Sequence, residues 1–128
     1  MRAYLPIGHK ELEGFLLSAT IDVHELFAPT QSFIDDNAEC DEEELEYLLS
    51  IAAGEKALEL RLSEKAPGIV LALEISDEHI AESYVDTVTV KTALQWDQVQ
   101  CALLAFQGED ELVWFATQEI EIHLAEWK

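Results

Sequence analysis

The sequence predicts an α+β fold: one domain spanning residues 1–128, with a mixed β-sheet and helices packed mainly on one face. Three observations lead there. Asp41–Leu62 (DEEELEYLLSIAAGEKALELRL) is the longest stretch whose spacing suits a single helix. Ile69–Ile75 (IVLALEI) is a β-rich apolar run too short for a helix and too uniform for an exposed strand, so it belongs at the centre of a sheet. Beyond it, strand-like segments succeed one another without a helix between them. The expected order, β-α-β-α-β-β-β-β-α, has helices crossing over early and strands meandering late.

Taken in order, Arg2–Ile7 (RAYLPI) reads as an opening strand ended by Pro6 and Gly8. His9–Ala19 then carries Leu12, Phe15, Leu16 and Ala19 at helical spacing. Ile21–Ala28 (IDVHELFA) is a second strand, closed by Pro29-Thr30, and Phe33 and Ile34 lead into the polar loop Asp35–Cys40. In the central helix Leu45, Leu48, Ile51, Ala52, Leu58 and Leu62 share one broad face, with Glu46, Ser50, Lys56 and Glu59 mostly away from it. Asp41 is placed to cap the first turn, with Glu44 three residues on as in a capping box. Gly54 costs the helix about 1 kcal/mol relative to alanine and marks a place for a bend. Ala66-Pro67-Gly68 forbids continuation. Leu58, Leu60 and Leu62 also fit strand alternation, a reading outweighed by the helical face already running from Leu45.

Ser76–His79 breaks the strand pattern, Tyr84–Lys91 (YVDTVTVK) resumes it, Gln95-Trp96-Asp97 makes a tight connection, and Val99–Phe106 (VQCALLAF) is a further strand. The tail reads in two ways. As one helix, Leu112, Val113, Ala116, Ile120, His123, Leu124 and Trp127 form a stripe. As strand then helix, Glu111–Ala116 hairpins back across Gln107–Asp110 (QGED). The β-favouring Val113, Trp114 and Phe115 favour strand then helix, with Thr117 as N-cap and Ile120, Leu124 and Trp127 facing inward.

Composition narrows the function classes. With 49% hydrophobic residues, a chain of 128 residues can build its own core. Two cysteines are too few for a disulfide scaffold, and MRAYLPIGHK lacks the apolar stretch of a signal peptide, so a reducing cytoplasm is expected. Cys101–Phe106 is far short of the about 20 apolar residues of a spanning helix, so no membrane role is expected. Seven basic against 27 acidic residues give −20, and cuts after residues 40, 66 and 97 leave −5 on each piece. Such evenly spread charge describes a solvated acidic surface that repels nucleic acid and anionic lipid.

By the residues Met1–Pro6 (MRAYLP), Asp41–Tyr47 (DEEELEY) and Glu111–Ile120 (ELVWFATQEI), the chain resembles an uncharacterised actinobacterial family, domain of unknown function 6912. The resemblance implies the same compartment and a single domain, and names no catalytic residue. It also implies relatives that are longer between the regions like Phe106 and Glu111 and that often carry proline at the position of Glu121. The connection in this chain is shortened.

Catalytic signatures are few. His9, His24, His79 and His123 show no HExxH, HxH or CxxC spacing, so no metal site is expected of them, and no GxGxxG, GxxxxGK[ST] or GxSxG motif occurs. No cofactor is expected. Cys40 lies among Glu39 and Asp41–Glu44, whose charges disfavour a thiolate, and Cys101 sits in an apolar strand. Asp35, Asn37, Glu39, Asp41, Glu43 and Glu46 fall in a calcium-loop register, but Cys40 stands where that loop needs glycine and Asp41 is needed as a cap, so no calcium site is expected. Trp114 with Gln118 and Glu119 is the candidate chemical cluster, set against core packing for the indole and capping for the Gln-Glu pair. The preferred function is a non-enzymatic protein-binding or regulatory module with an acidic surface that meets a basic partner. The alternative is a small hydrolase or transferase with carboxylate-bound Mg²⁺ or Mn²⁺. A mimic of nucleic-acid charge ranks lower, because the carboxylates do not form rows.

Overall fold

In the computed structural model, which describes residues 1–22 and 25–128, the apolar run after Pro67 becomes the central strand β4 (Gly68–Glu74). All its residues but Glu74 are buried. β1 (Arg2–Ile7) pairs along one side of it, from Arg2↔Glu74 to Ile7↔Ile69, and β8 (Val99–Ala105) along the other. Outside β1 lie β3 (Leu26–Phe27), β6 (Thr87–Val90) and β5 (Ile80–Ser83), and outside β8 lies β9 (Val113–Ala116). The order is β5-β6-β3-β1-β4-β8-β9, and β2 (Thr20–Ile21) pairs separately with β7 (Leu94–Gln95). The α+β class is as expected. Among the described residues every pairing is antiparallel, where a mixed sheet was expected.

The layers also differ from expectation, and alternation along β1 and β4 gives the reason. Ala3, Leu5, Ile7, Ile69, Leu71 and Leu73 point to one face, where α1 (His9–Ser18) and α4 (Thr117–His123) bury Leu12, Phe15 and Ile120. Tyr4, Val70, Ala72 and Cys101 point to the other, covered by Leu49, Ala53 and Ala57 of α3 (Glu42–Glu59). A strand apolar on both sides needs a cover on each, so helices flank both faces rather than mainly one.

Asp41 caps α3 as its sequence demands. Its carboxylate accepts from the Glu44 N–H at 2.9 Å, and the Glu44 carboxylate accepts from the Asp41 N–H at 3.4 Å. The inward stripe is Leu45, Leu49, Ser50, Ala53, Gly54 and Ala57. Leu48 and Leu62 are exposed, and Ile51, Ala52 and Leu58 are half-buried. The helix therefore turns its smallest residues down, because the sheet comes very close: a Cβ on Gly68 would sit 2.7 Å from the Leu58 nitrogen. Buried Ser50 meets its polar need locally, its hydroxyl donating to the Tyr47 carbonyl at 2.7 Å. α3 runs unbroken through Gly54, whose missing Cβ faces Leu112 and Ala105, and ends at Glu59 with no strand over Leu58–Leu62.

Elsewhere the expected elements are shorter or divided. The strand expected over Ile21–Ala28 is β2 and β3, with Val23 and His24 outside the described residues. Gln31–Asp36 is a helix, α2, capped by Thr30, whose hydroxyl accepts from the Phe33 N–H and donates to the Val85 carbonyl. The strand expected over Tyr84–Lys91 narrows to β6, which forms a hairpin with β5, closed where the Tyr84 N–H meets the Thr87 carbonyl at 2.8 Å. The tail is strand then helix: β9, then α4, then a 3-10 turn at Leu124–Trp127 that buries Trp127. Ala116 rather than Thr117 is the N-cap of α4, and the Thr117 hydroxyl instead donates to the Val99 carbonyl at 3.1 Å. Among the described residues no helix is long and apolar enough to cross a membrane.

Candidate functional site at the β9 edge

Trp114, Gln118 and Glu119 do not converge. Phe115 of β9 packs on the α1–α4 core, so its neighbour Trp114 projects to the α3 side, where the residue is 59% exposed. Gln118 is exposed in the first turn of α4, on the opposite face of the sheet. The Glu119 carboxylate accepts from the Ala116 N–H at 2.9 Å and so closes the helix start. Among the described residues no hydrogen bond joins the three side chains.

That cap reveals how β9 presents its backbone. An Ala116 N–H directed at Glu119 points away from β8, and in an antiparallel ladder such outward residues alternate. Trp114, opposite Leu103, therefore turns its N–H and C=O outward at the end of the sheet. Val113 beside it is 45% exposed. The other edge of the sheet is guarded: β5 carries a register irregularity between Ile80 and Glu82 and places exposed Glu82 in the strand. Val113–Ala116 has no charge, proline or irregularity.

Two recesses adjoin this edge. One, of about 160 Å³, lies between α3 and the turn after β8, and is lined by Ile51, Gly54, Leu58, Phe106 and Leu112 with Glu55, Glu109 and Asp110 at its margin. The second, of about 480 Å³, is bordered by Phe106, Leu112 and Val113 with Glu109 and Glu111. Arg61 reaches the same turn, its guanidinium donating to the Gln107 side chain at 3.3 Å. None of the 27 Asp and Glu residues in the chain is buried. The shallow site thus combines outward-facing backbone, an exposed indole and an acidic margin, which suits holding a chain segment. The sequence did carry a signal for it: VWFA is a strand without the charges that usually guard an edge.

Several other polar side chains make contacts within the fold. His9 is buried between α1 and the C-terminal turn, its Nε2 donating to the Leu124 carbonyl at 2.8 Å and its Nδ1 lying 3.1 Å from Glu13. His79 contacts Thr92, and His123 pairs with Glu126 at 2.8 Å. Arg2 donates to the Cys101 sulfur at 3.2 Å beside buried Tyr4, whose hydroxyl is pushed up to about 12, chiefly by burial. Both cysteines are free. Partial burial and then the carboxylates of Glu39, Glu44 and Asp41 push the Cys40 thiol up. In the loop with calcium-like spacing, Asp35 accepts from Gln31 at 2.8 Å, Asp41 is the cap, and Glu43 and Glu46 lie on α3. Among the described residues no group of three or more His, Cys, Asp or Glu is placed to hold a metal ion.

No curated protein and no solved structure matches the chain. Membership of a family rests on residues 1–109, which include MRAYLP and DEEELEY but stop short of ELVWFATQEI: the chain belongs to a family of unknown function, DUF6912.

Proposed function

We propose that this protein is a cytoplasmic, non-enzymatic module that binds a basic protein partner. The observation that carries this reading is the exposed apolar strip Val113–Trp114 on a sheet edge, bordered by Glu109, Asp110 and Glu111. An apolar centre with a charged rim gives an interface both affinity and selection by sign, and a chain at −20 attracts cationic partners over a Debye length that reaches about 30 Å at low salt. Two free thiols accord with a reducing compartment. The alternative, a carboxylate-metal hydrolase or transferase, has no ligand cluster among the described residues on which to build.

The test is affinity capture with the immobilised chain at low salt, followed by elution at rising salt. One reproducible basic partner, released as salt rises, is the expected result. Recovery of nothing reproducible at low salt would contradict the proposal.

A further inference from the structure

The geometry points to a binding mode: an extended peptide of alternating apolar residues flanked by Lys or Arg adds as an eighth strand outside β9. This rests on the binding-module reading above and specifies its site and ligand. Three independent features favour this strand. Trp114 presents an outward N–H and C=O with nothing beyond β9 in the sheet among the described residues. Its indole stands exposed on the α3 side while Val113 stands exposed on the other, so alternate side chains of an added strand meet an apolar surface on both faces. The opposite edge carries the irregularity and the charge that discourage pairing, and β9 carries neither.

Charge selects the occupant. Glu109 and Glu111 border the recess beside Val113, and Glu119 caps Ala116 at the far end of β9, so a carboxylate stands near each end of an added strand. A second copy of the chain, itself at −20, would bring its own Glu111 and Glu119 to the same place and be repelled. Basic flanks on a short apolar core match both the ends and the middle of the site.

The experiment titrates the unmodified protein with three synthetic peptides: Lys/Arg-flanked alternating Val and Thr, the same core flanked by Glu, and the basic peptide N-methylated at its central residue. N-methylation leaves charge and side chains in place and removes the backbone donor. The basic peptide is expected to bind, the acidic one not, and N-methylation to weaken binding about tenfold. Trp114→Ala is expected to weaken it at least as much with an unchanged melting temperature, since the side chain is mostly solvated. Equal affinity for the N-methylated peptide, or for Trp114→Ala, would overturn strand addition and leave the broader acidic-module reading standing. Absence of salt-sensitive binding by either basic peptide would overturn the mode, and with an empty capture experiment the function too. Sedimentation showing a dimer abolished by Trp114→Ala would assign the edge to a second copy instead.

Discussion

Tyr4 and Cys40 show how burial first, and neighbouring charge second, act on single residues. Tyr4 is raised from 10.0 to about 12 because burial disfavours the phenolate, an effect that Arg2 opposes and that Glu46 and Cys101 reinforce. The folded state therefore keeps a proton that the unfolded chain releases first. The contribution is full below pH 10 and is lost as pH rises through about 12, on the order of 2 kcal/mol. Denaturant titrations across that window should show an alkaline loss that Tyr4→Phe lacks, and identical pH profiles would contradict the assignment. Cys40 should react with iodoacetamide several-fold more slowly than a free cysteine at mildly alkaline pH and recover part of the difference in high salt, which screens Glu39, Asp41 and Glu44. Faster alkylation than the free thiol would contradict it. Trp114 was legible as an unusual residue but not as an exposed one, because the direction of a strand side chain depends on a neighbour, Phe115, whose burial only the assembled core decides.

Elements were legible where local chemistry fixes them. Asp41 and Glu44 start α3, Arg2–Ile7 and the run after Pro67 are strands, and Val113–Phe115 tipped the tail to strand then helix. The inward face of α3 was not, because periodicity ranks faces by hydrophobic mass, and this interface selects small residues. Leu48 lost its place to Leu49, and Ala53, Gly54 and Ala57 lie against the sheet. Two glycine substitutions separate the causes. Gly68→Ala drives a Cβ to within 2.8 Å of α3 backbone atoms that cannot yield, and should destabilise by roughly 3 kcal/mol. Gly54→Ala meets only the Leu112 side chain at 3.1 Å and Ala105 at 3.4 Å, while gaining helix propensity, so its stability change should stay within about 1 kcal/mol. Urea unfolding of both variants checks the pair; a larger loss at Gly54 than at Gly68 would mean that α3 sits elsewhere on the sheet.

The whole molecule carries a large one-signed charge on a three-layer frame. Ion pairing offsets little of it: Lys56–Glu59, at 3.8 Å, is an exposed pair of small worth. Moderate salt should therefore raise the melting temperature by screening self-repulsion, and a fall would show that attractive pairs dominate. Composition made the −20 legible, whereas the two-sided covering of β1 and β4 depended on where Tyr4 and Cys101 point. The uncharged VWFA strand was legible, but its place at the edge was not, for a related reason: which strand ends a sheet is set by pairing order, and β9 lies outermost beside β8 because the short Gln107–Leu112 connection returns it there. The central claim is that this outermost strand is the docking edge, and amide exchange at Trp114 measures it most directly. With the Lys/Arg-flanked peptide bound, exchange of the Trp114 N–H should slow by about an order of magnitude or more while the β5 amides stay unchanged. A bound peptide that leaves the Trp114 amide exchanging at its free rate would contradict the account.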